Sequence, residues 1–256
     1  LGYANPASKH TLHYIPNEYD ALTNYQLRTC PDGYLASVRL GNADTGNGTG
    51  EAIEYKYKVE DGANSILKIK YAVVLSNPHP ETPEANPQFW LDVWCNGRAI
   101  ANDCGFAFFT AGDSESSGWL EGATGWLYKE WTEHSINLRD YIGQTLTIRL
   151  VTTDCQPSAH TGYAYFVLDC EDGGMSGLNC GEDNPTTEFD APSGFDYVWY
   201  PADNPLDTLS TSQHFHIEPM DTNIYNVNVI NKNNDNCWYT LSAIGRPRVP
   251  TPLASY

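Results

Sequence analysis

Apolar and polar residues alternate with a period of two along much of this chain, which favours β architectures over helical ones. In "EAIEYKYKV" (51–59), Ile53, Tyr55, Tyr57 and Val59 fall on one face and Glu54, Lys56 and Lys58 on the other. "SILKIKYAVVL" (65–75) sets Leu67, Ile69, Tyr71, Val73 and Leu75 on one side, and "QFWLDVW" (88–94) opposes Phe89, Leu91 and Val93 to Trp90, Asp92 and Trp94. The Asn96-Gly97 pair that follows is a hairpin signal. "FAFFT", "TEHSINL", "QTLTIRLVTT" and "YAYFVLD" complete the series up to Asp169. That is roughly eight strands, the number of a jelly-roll sandwich. No long helical periodicity interrupts them.

The strand at "HTGYAYFVLDC" (160–170) poses the functional question. Ala164, Phe166, Leu168 and Cys170 make one apolar face and are expected to turn into the sandwich core. Tyr163, Tyr165, Val167 and Asp169 make the other, which could bind a ligand or only pack.

The stretch from Cys170 to Glu188, "CEDGGMSGLNCGEDNPTTE", is rich in Gly, Asp and Asn and reads as a boundary. Beyond it "FDYVWYP", "QHFHIEP", "TNIYNVNVIN" and "CWYTLSAIG" recur at short spacing, as in a small Ig-like sandwich. The expected architecture is therefore all-β: a jelly-roll β-sandwich over residues 1–176, then an Ig-like β-sandwich over 177–256.

Charge and composition narrow the partners. With 32 acidic against 14 basic residues the formal net charge is −18, which argues against a nucleic-acid backbone as a partner. Cations, or neutral ligands such as sugars, suit this surface better. No run of about 18 apolar residues is present, so no membrane-spanning helix is expected. The seven cysteines form no CxxC pair, and their scatter reads as disulfides of an exported, extracellular or cell-surface protein. Spacing alone leaves many pairings open. Cys180–Cys237 is preferred because the two bracket the second domain, and Cys95–Cys104 across a turn comes next.

The aromatic content, 17 Tyr and seven Trp, is the strongest ligand signal. Sugar rings stack their C–H faces on such side chains while Asp and Asn accept hydroxyl protons. The ligand-binding candidates are Trp90, Trp94, Tyr163 and Tyr165, which line one surface if their two strands share a sheet. The competing expectation is packing, with Trp119, Trp126 and Trp131 plugging a long loop. For metals, the loop "GNADTGNGTGE" offers Asn42, Asp44, Asn47 and Glu51 as oxygen donors, and Asp44, Glu51 and Asp169 are the candidate ligands of a structural calcium. His214 and His216, two apart on a strand, share a face suited to zinc but lack a third ligand nearby. Catalysis is not expected. Glu51 and Glu54 face opposite sides, and "AGDSES" lacks the strand–helix setting and partners of a nucleophile turn.

Two regions of the chain also resemble known modules. "ASVRLGNADTGNGTGEAIEYKYKV", "YAVVLSNPHPETPEANPQFWLDV", "WTEHSINLRDYIGQTLTIRLVTTDC" and "GYAYFVLDC" look like the jelly-roll modules of large secreted bacterial surface proteins, and the latter half is similar to MAM-like sandwich modules. "FDYVWYPADNPLDTLSTSQHFHIEPMDTNIYNVNVINKNNDNCWYTLSA" resembles PKD-like or Ig-like repeats. The resemblance implies a carbohydrate-binding or adhesin-like module among other domains of a larger surface protein, with no catalytic residues to carry over. The expected function is non-catalytic extracellular recognition of glycan or a host or cell-surface glycoprotein. The alternative is a structural stalk with no small ligand.

Overall fold

The computed structural model describes residues 2–3, 8–15, 17–44, 48–61, 65–77, 79, 85–101, 104–113, 118–155, 160–180, 186–217 and 222–245. Its strands are β1 (Gly2–Tyr3), β2 (His10–His13), β3 (Ser37–Gly41), β4 (Gly50–Lys58), β5 (Ile66–Ser76), β6 (Gln88–Cys95), β7 (Arg98–Ala99), β8 (Ala107–Thr110) and β9 (Leu120–Glu121). There follow β10 (Trp126–Asn137), β11 (Thr145–Thr153), β12 (Gly162–Glu171), β13 (Ser176–Cys180), β14 (Thr186–Asp190), β15 (Phe195–Pro201), β16 (His214–Ile217), β17 (Ile224–Asn231) and β18 (Asn234–Ile244). No helix among the described residues is long and apolar enough to cross a membrane.

The protein is an all-β sandwich protein. A seven-stranded sheet runs β1-β2-β3-β12-β5-β10-β9, and a five-stranded sheet runs β4-β11-β6-β7 with β8 also on β6. Their central strands, β3-β12-β5-β10 over β4-β11-β6-β8, alternate between sheets in the order of a jelly roll. Leu67, Ile69, Tyr71, Val73 and Leu75 meet Phe89, Leu91 and Val93 across the gap, as their alternation requires. Ala164 and Phe166 join this core, with Leu168 and Cys170 packed against it. Val59, just past β4, is buried, but Tyr55 on β4 is 52% exposed, although alternation puts it on the same face as Val59 and so is expected to turn it inward. The reason is position: β4 is the edge of its sheet, where an inward side chain overhangs the core.

Two three-stranded sheets, β13-β14-β16 and β15-β17-β18, form the second sandwich. The order is that of an Ig-like Greek key, with Trp199 wholly buried on the third strand. Phe215 stacks on Trp199 at 5.0 Å and Phe189 at 6.1 Å, and Val227, Val229 and Leu241 complete the core.

The two sandwiches are stitched together. Ile66, at the start of β5, belongs to the second core. Asn231 Nδ2 donates to Ser135 O at 2.6 Å, and the Arg139 guanidinium lies over the Tyr239 ring at 5.6 Å. The disulfide joins Cys104 to Cys237, so the expected Cys180–Cys237 and Cys95–Cys104 pairings are both corrected. The turn between β17 and β18 rests on β10, which carries Cys237 to the loop before β8. The Cys95 thiol instead donates to Gln144 Oε1 at 3.1 Å. The side chain of Cys180 lies outside the described residues.

Two expected outcomes follow. Phe166→Ala should cost about 3–5 kcal/mol, read in urea unfolding as a lower midpoint at unchanged slope. Peptide mapping without reduction should recover Cys104 joined to Cys237. Because the bridge spans 133 residues, Cys237→Ser should lower stability by on the order of 4–5 kcal/mol.

Candidate functional site

The outer face of the five-stranded sheet carries an aromatic row. β6 buries Phe89, Leu91 and Val93, so its alternation turns Trp90, Asp92 and Trp94 outward. Trp90 stands opposite Phe108 of β8 on one side and Val151 of β11 on the other. Asp92 stands opposite Arg149, and Trp94 opposite Thr147. Phe108 is 43% exposed and Trp94 36%. At ~3.3 Å per residue the two tryptophans are about 13 Å apart along the strand.

Asp92 organises the polar groups between the rings. The Arg149 guanidinium reaches it through Nε, 3.2 Å from both oxygens, and through Nη2, 2.8 Å from Oδ2. Trp94 Nε1 donates to Asp92 Oδ1 at 2.6 Å, which fixes the indole against the strand. The hydrogen bond to Asp92 raises the pKa of Arg149. Held this way, the guanidinium offers its remaining N–H groups to a neutral oxygen between two apolar rings.

A cleft of about 830 Å³ adjoins this face at the sandwich edge. Tyr71, Phe106, Phe108, Phe109, Lys129 and Trp131 are among its walls. A bulge shapes it: Lys129 pairs with Val73 and Thr132 with Tyr71, so β10 carries one extra residue there. Trp131, within the bulge, donates its Nε1 proton to Arg28 O at 2.9 Å. Lys129 Nζ lies 4.9 Å from the ring centres of both Phe109 and Trp119, and burial lowers its pKa. The Tyr71 hydroxyl and the Trp119 indole N–H are buried without a hydrogen-bond partner among the described residues.

Tyr163 and Tyr165 occupy a different environment. They lie on β12 in the seven-stranded sheet, whereas Trp90 and Trp94 lie on β6 in the five-stranded one, so the two pairs do not share a sheet as expected. The jelly-roll crossover between sheets separates them. Both tyrosines are 2% exposed, and both hydroxyls donate to Asp20 Oδ2, at 2.8 and 2.7 Å. Asp20 Oδ1 caps the 3-10 turn Ala21–Thr23 by accepting from Leu22 N at 2.8 Å. The segment around Asp20 thus covers this face, with Leu27 and Tyr128 in the same cluster. Arg39 lies over the Tyr163 ring at 5.3 Å.

The proposed calcium donors are dispersed. Asp44 is exposed, its backbone N–H bonded to Asn42 Oδ1 at 3.1 Å. Glu51 is buried in an ion pair with Lys9. Asp169 accepts from the Tyr34 hydroxyl at 3.1 Å. It stands six residues along β12 from Tyr163, the partner of Gly41, which is about 20 Å at ordinary strand rise. Asn47 lies outside the described residues. His214 pairs with Asp190, and both it and His216 are exposed, while Ile217 is buried.

Sequence reading missed Phe108 and Arg149, because cross-strand register brings them to β6 from elsewhere in the chain. It also passed over His79, Cys155 and His160, although the Cys155-x4-His160 spacing was visible.

No protein-family model matches the chain, and no curated protein matches it. Among solved structures it is similar to the glycoside hydrolase domain Endo-D from Streptococcus pneumoniae R6, at 10% identity and TM-score 0.28 over 82% of this chain and 33% of that one. It is similar also to the adhesin domain of Epf from Streptococcus pyogenes, at 10% identity and TM-score 0.24 over 84% of this chain and 78% of that one. A third similarity is to a β-glucuronidase from Faecalibacterium prausnitzii, at 8% identity and TM-score 0.22 over 94% of this chain and 47% of that one. The chain thus spans about a third of the Endo-D structure.

The buried tyrosines set an alkaline limit on stability. Burial, followed by the Asp20 charge, raises Tyr163 and Tyr165 well above their ordinary 10.0. Above pH 10 the unfolded chain sheds protons that the folded chain retains, so stability falls as pH rises. The contribution should be intact below about pH 10 and lost above it, read as a falling melting temperature that Tyr163→Phe and Tyr165→Phe make less steep.

Proposed function

We propose that this protein is a non-catalytic extracellular recognition module of a larger surface protein, and that it binds neutral glycan on the outer face of the five-stranded sheet. The observation that carries the reading is the outward-facing row Trp90–Asp92–Trp94, in which Trp94 is exposed, Trp90 half-buried and Asp92 buried, flanked by the exposed Phe108 and by Arg149. Rings set along one strand suit successive sugar units, and the Asp92-held guanidinium suits their hydroxyls. The net charge of −18 favours neutral over anionic chains. The edge cleft beside Phe108 lets a longer chain continue past the row. Tyr163 and Tyr165 serve this face only as scaffold. A bound calcium enters the proposal only at the Asn42–Asp44 turn, since Glu51 is paired with Lys9 and Asp169 lies far along the strand. The disulfide at the joint supports placing the molecule in an oxidising, extracellular setting.

The same clamped joint favours a second reading, a rigid spacer that binds no small ligand. A glycan array followed by calorimetry separates the two. Binding of a neutral oligosaccharide, weakened at least tenfold (about 1.4 kcal/mol) by Trp94→Ala or Phe108→Ala with the melting temperature little changed, is the expected result. An array blank across all neutral glycans would leave the spacer. Shortening of the bound oligosaccharide on incubation would replace the binding module with an enzyme.

A further inference from the structure

At one end of the jelly roll His79, Cys155 and His160 converge. One ring nitrogen from each histidine and the Cys155 sulfur lie within 4.8 Å of one another. Cys155 is wholly buried, and the two histidines are half-buried. We propose that these three side chains form a binding site for a thiophilic transition-metal ion, with Zn2+ as its natural occupant.

The three residues come from two loops held in place independently of any ion. The His79 backbone N–H donates to Asn86 Oδ1 at 3.0 Å. Asn86 is 2% exposed and donates in turn to Asn77 Oδ1 and Ala111 O, both at 2.8 Å. In the other loop Cys155 N donates to His160 O at 3.0 Å, closing the turn between β11 and β12. Thr161 O accepts from both Ser76 N, at 3.1 Å, and Ser76 Oγ, at 2.9 Å, which ties that turn to the end of β5. Donors anchored at the ends of three strands are positioned before a ligand arrives.

Ordinary packing accounts for only part of this. The Cys155 thiol and His160 Nδ1 are 3.3 Å apart, a distance that a hydrogen bond explains, and the two imidazoles sit edge to face at 5.3 Å. His79 Nε2, however, is buried with no hydrogen-bond partner among the described residues. A polar ring nitrogen left so is costly unless something binds it. Around tetrahedral zinc, with bonds of about 2.3 Å to sulfur and 2.0–2.1 Å to nitrogen, neighbouring donors are roughly 3.3–3.6 Å apart. The Cys155–His160 separation meets that already, and small side-chain rotations bring His79 to it. On binding, the Cys155 thiol proton passes to solvent and the thiolate bonds the ion. A thiolate with two imidazoles selects zinc or copper over calcium or magnesium, and three protein donors leave a fourth position for water.

The test uses the full chain, stripped with a chelator and without reductant so that the Cys104–Cys237 bridge survives. Calorimetric titration with Zn2+ should give one ion per chain, with Ca2+ unable to compete. Co2+ should produce a thiolate-to-cobalt charge-transfer band. His79→Gln and His160→Asn, on half-buried side chains, should each weaken binding at least tenfold with the circular dichroism spectrum unchanged. His214→Asn should leave binding intact. Cys155→Ser should abolish the cobalt band, and the two histidine variants carry the conclusion if that buried change prevents folding. Absence of stoichiometric zinc, or zinc binding that survives both His79→Gln and His160→Asn, would overturn the site.

Discussion

Strand β5 is dry on both faces, and the rest of the molecule is arranged around that fact. Leu67, Ile69, Tyr71, Val73 and Leu75 face the sandwich core. On the opposite face the first half meets the second sandwich through Ile66 and through Lys68, which donates to Ser193 Oγ, and the second half meets the N-terminal cover through Ala72 and Val74. A strand with two buried faces in an antiparallel sheet needs a covering layer on the side away from the sandwich. Here two separate pieces of chain supply it. Lys68 shows the cost of doing so: it is buried and held by Glu171 at 2.5 Å and Glu133 at 3.8 Å. Removing Glu171 would leave much of that charge uncompensated.

The cover has a consequence for function. Asp20 satisfies two tyrosine hydroxyls and a backbone N–H together, so a polar clasp covers Tyr163 and Tyr165 on the outer face of the seven-stranded sheet. Among the described residues the five-stranded sheet has no comparable cover over Trp94 and Phe108, whose rings stay half open to solvent. Asymmetric covering therefore makes the two outer faces different: Tyr163 and Tyr165 are buried on one, and Trp94 and Phe108 are exposed on the other.

The clamped joint between sandwiches belongs to the same arrangement. The Cys104–Cys237 bridge, the Asn231–Ser135 bond and the Glu171–Ser193 contacts all cluster near the start of β5 and the end of β10. The joint is built from a covalent link, buried apolar contact and hydrogen bonds.

What the sequence determined by itself is what local periodicity reports. The inward set of β5, β6 and β12 followed from alternation, because a side chain's face depends only on parity along its own strand. The outward placement of Trp90, Asp92 and Trp94 followed in the same way. What covers an outward face depends on contacts distant in sequence, and alternation is silent about them. Tyr163 and Tyr165 are outward on β12 yet buried, because Asp20, more than a hundred residues earlier, closes over them. Arg149 and Phe108 flank the tryptophans only through register between strands, and Cys237 finds Cys104 rather than Cys180 because the β17–β18 turn docks on β10. The His79–Cys155–His160 cluster needs three strand ends brought to one end of the sandwich. Only the tertiary structure decided these, since pairing across the chain is set by which packing buries the most surface with its polar groups satisfied.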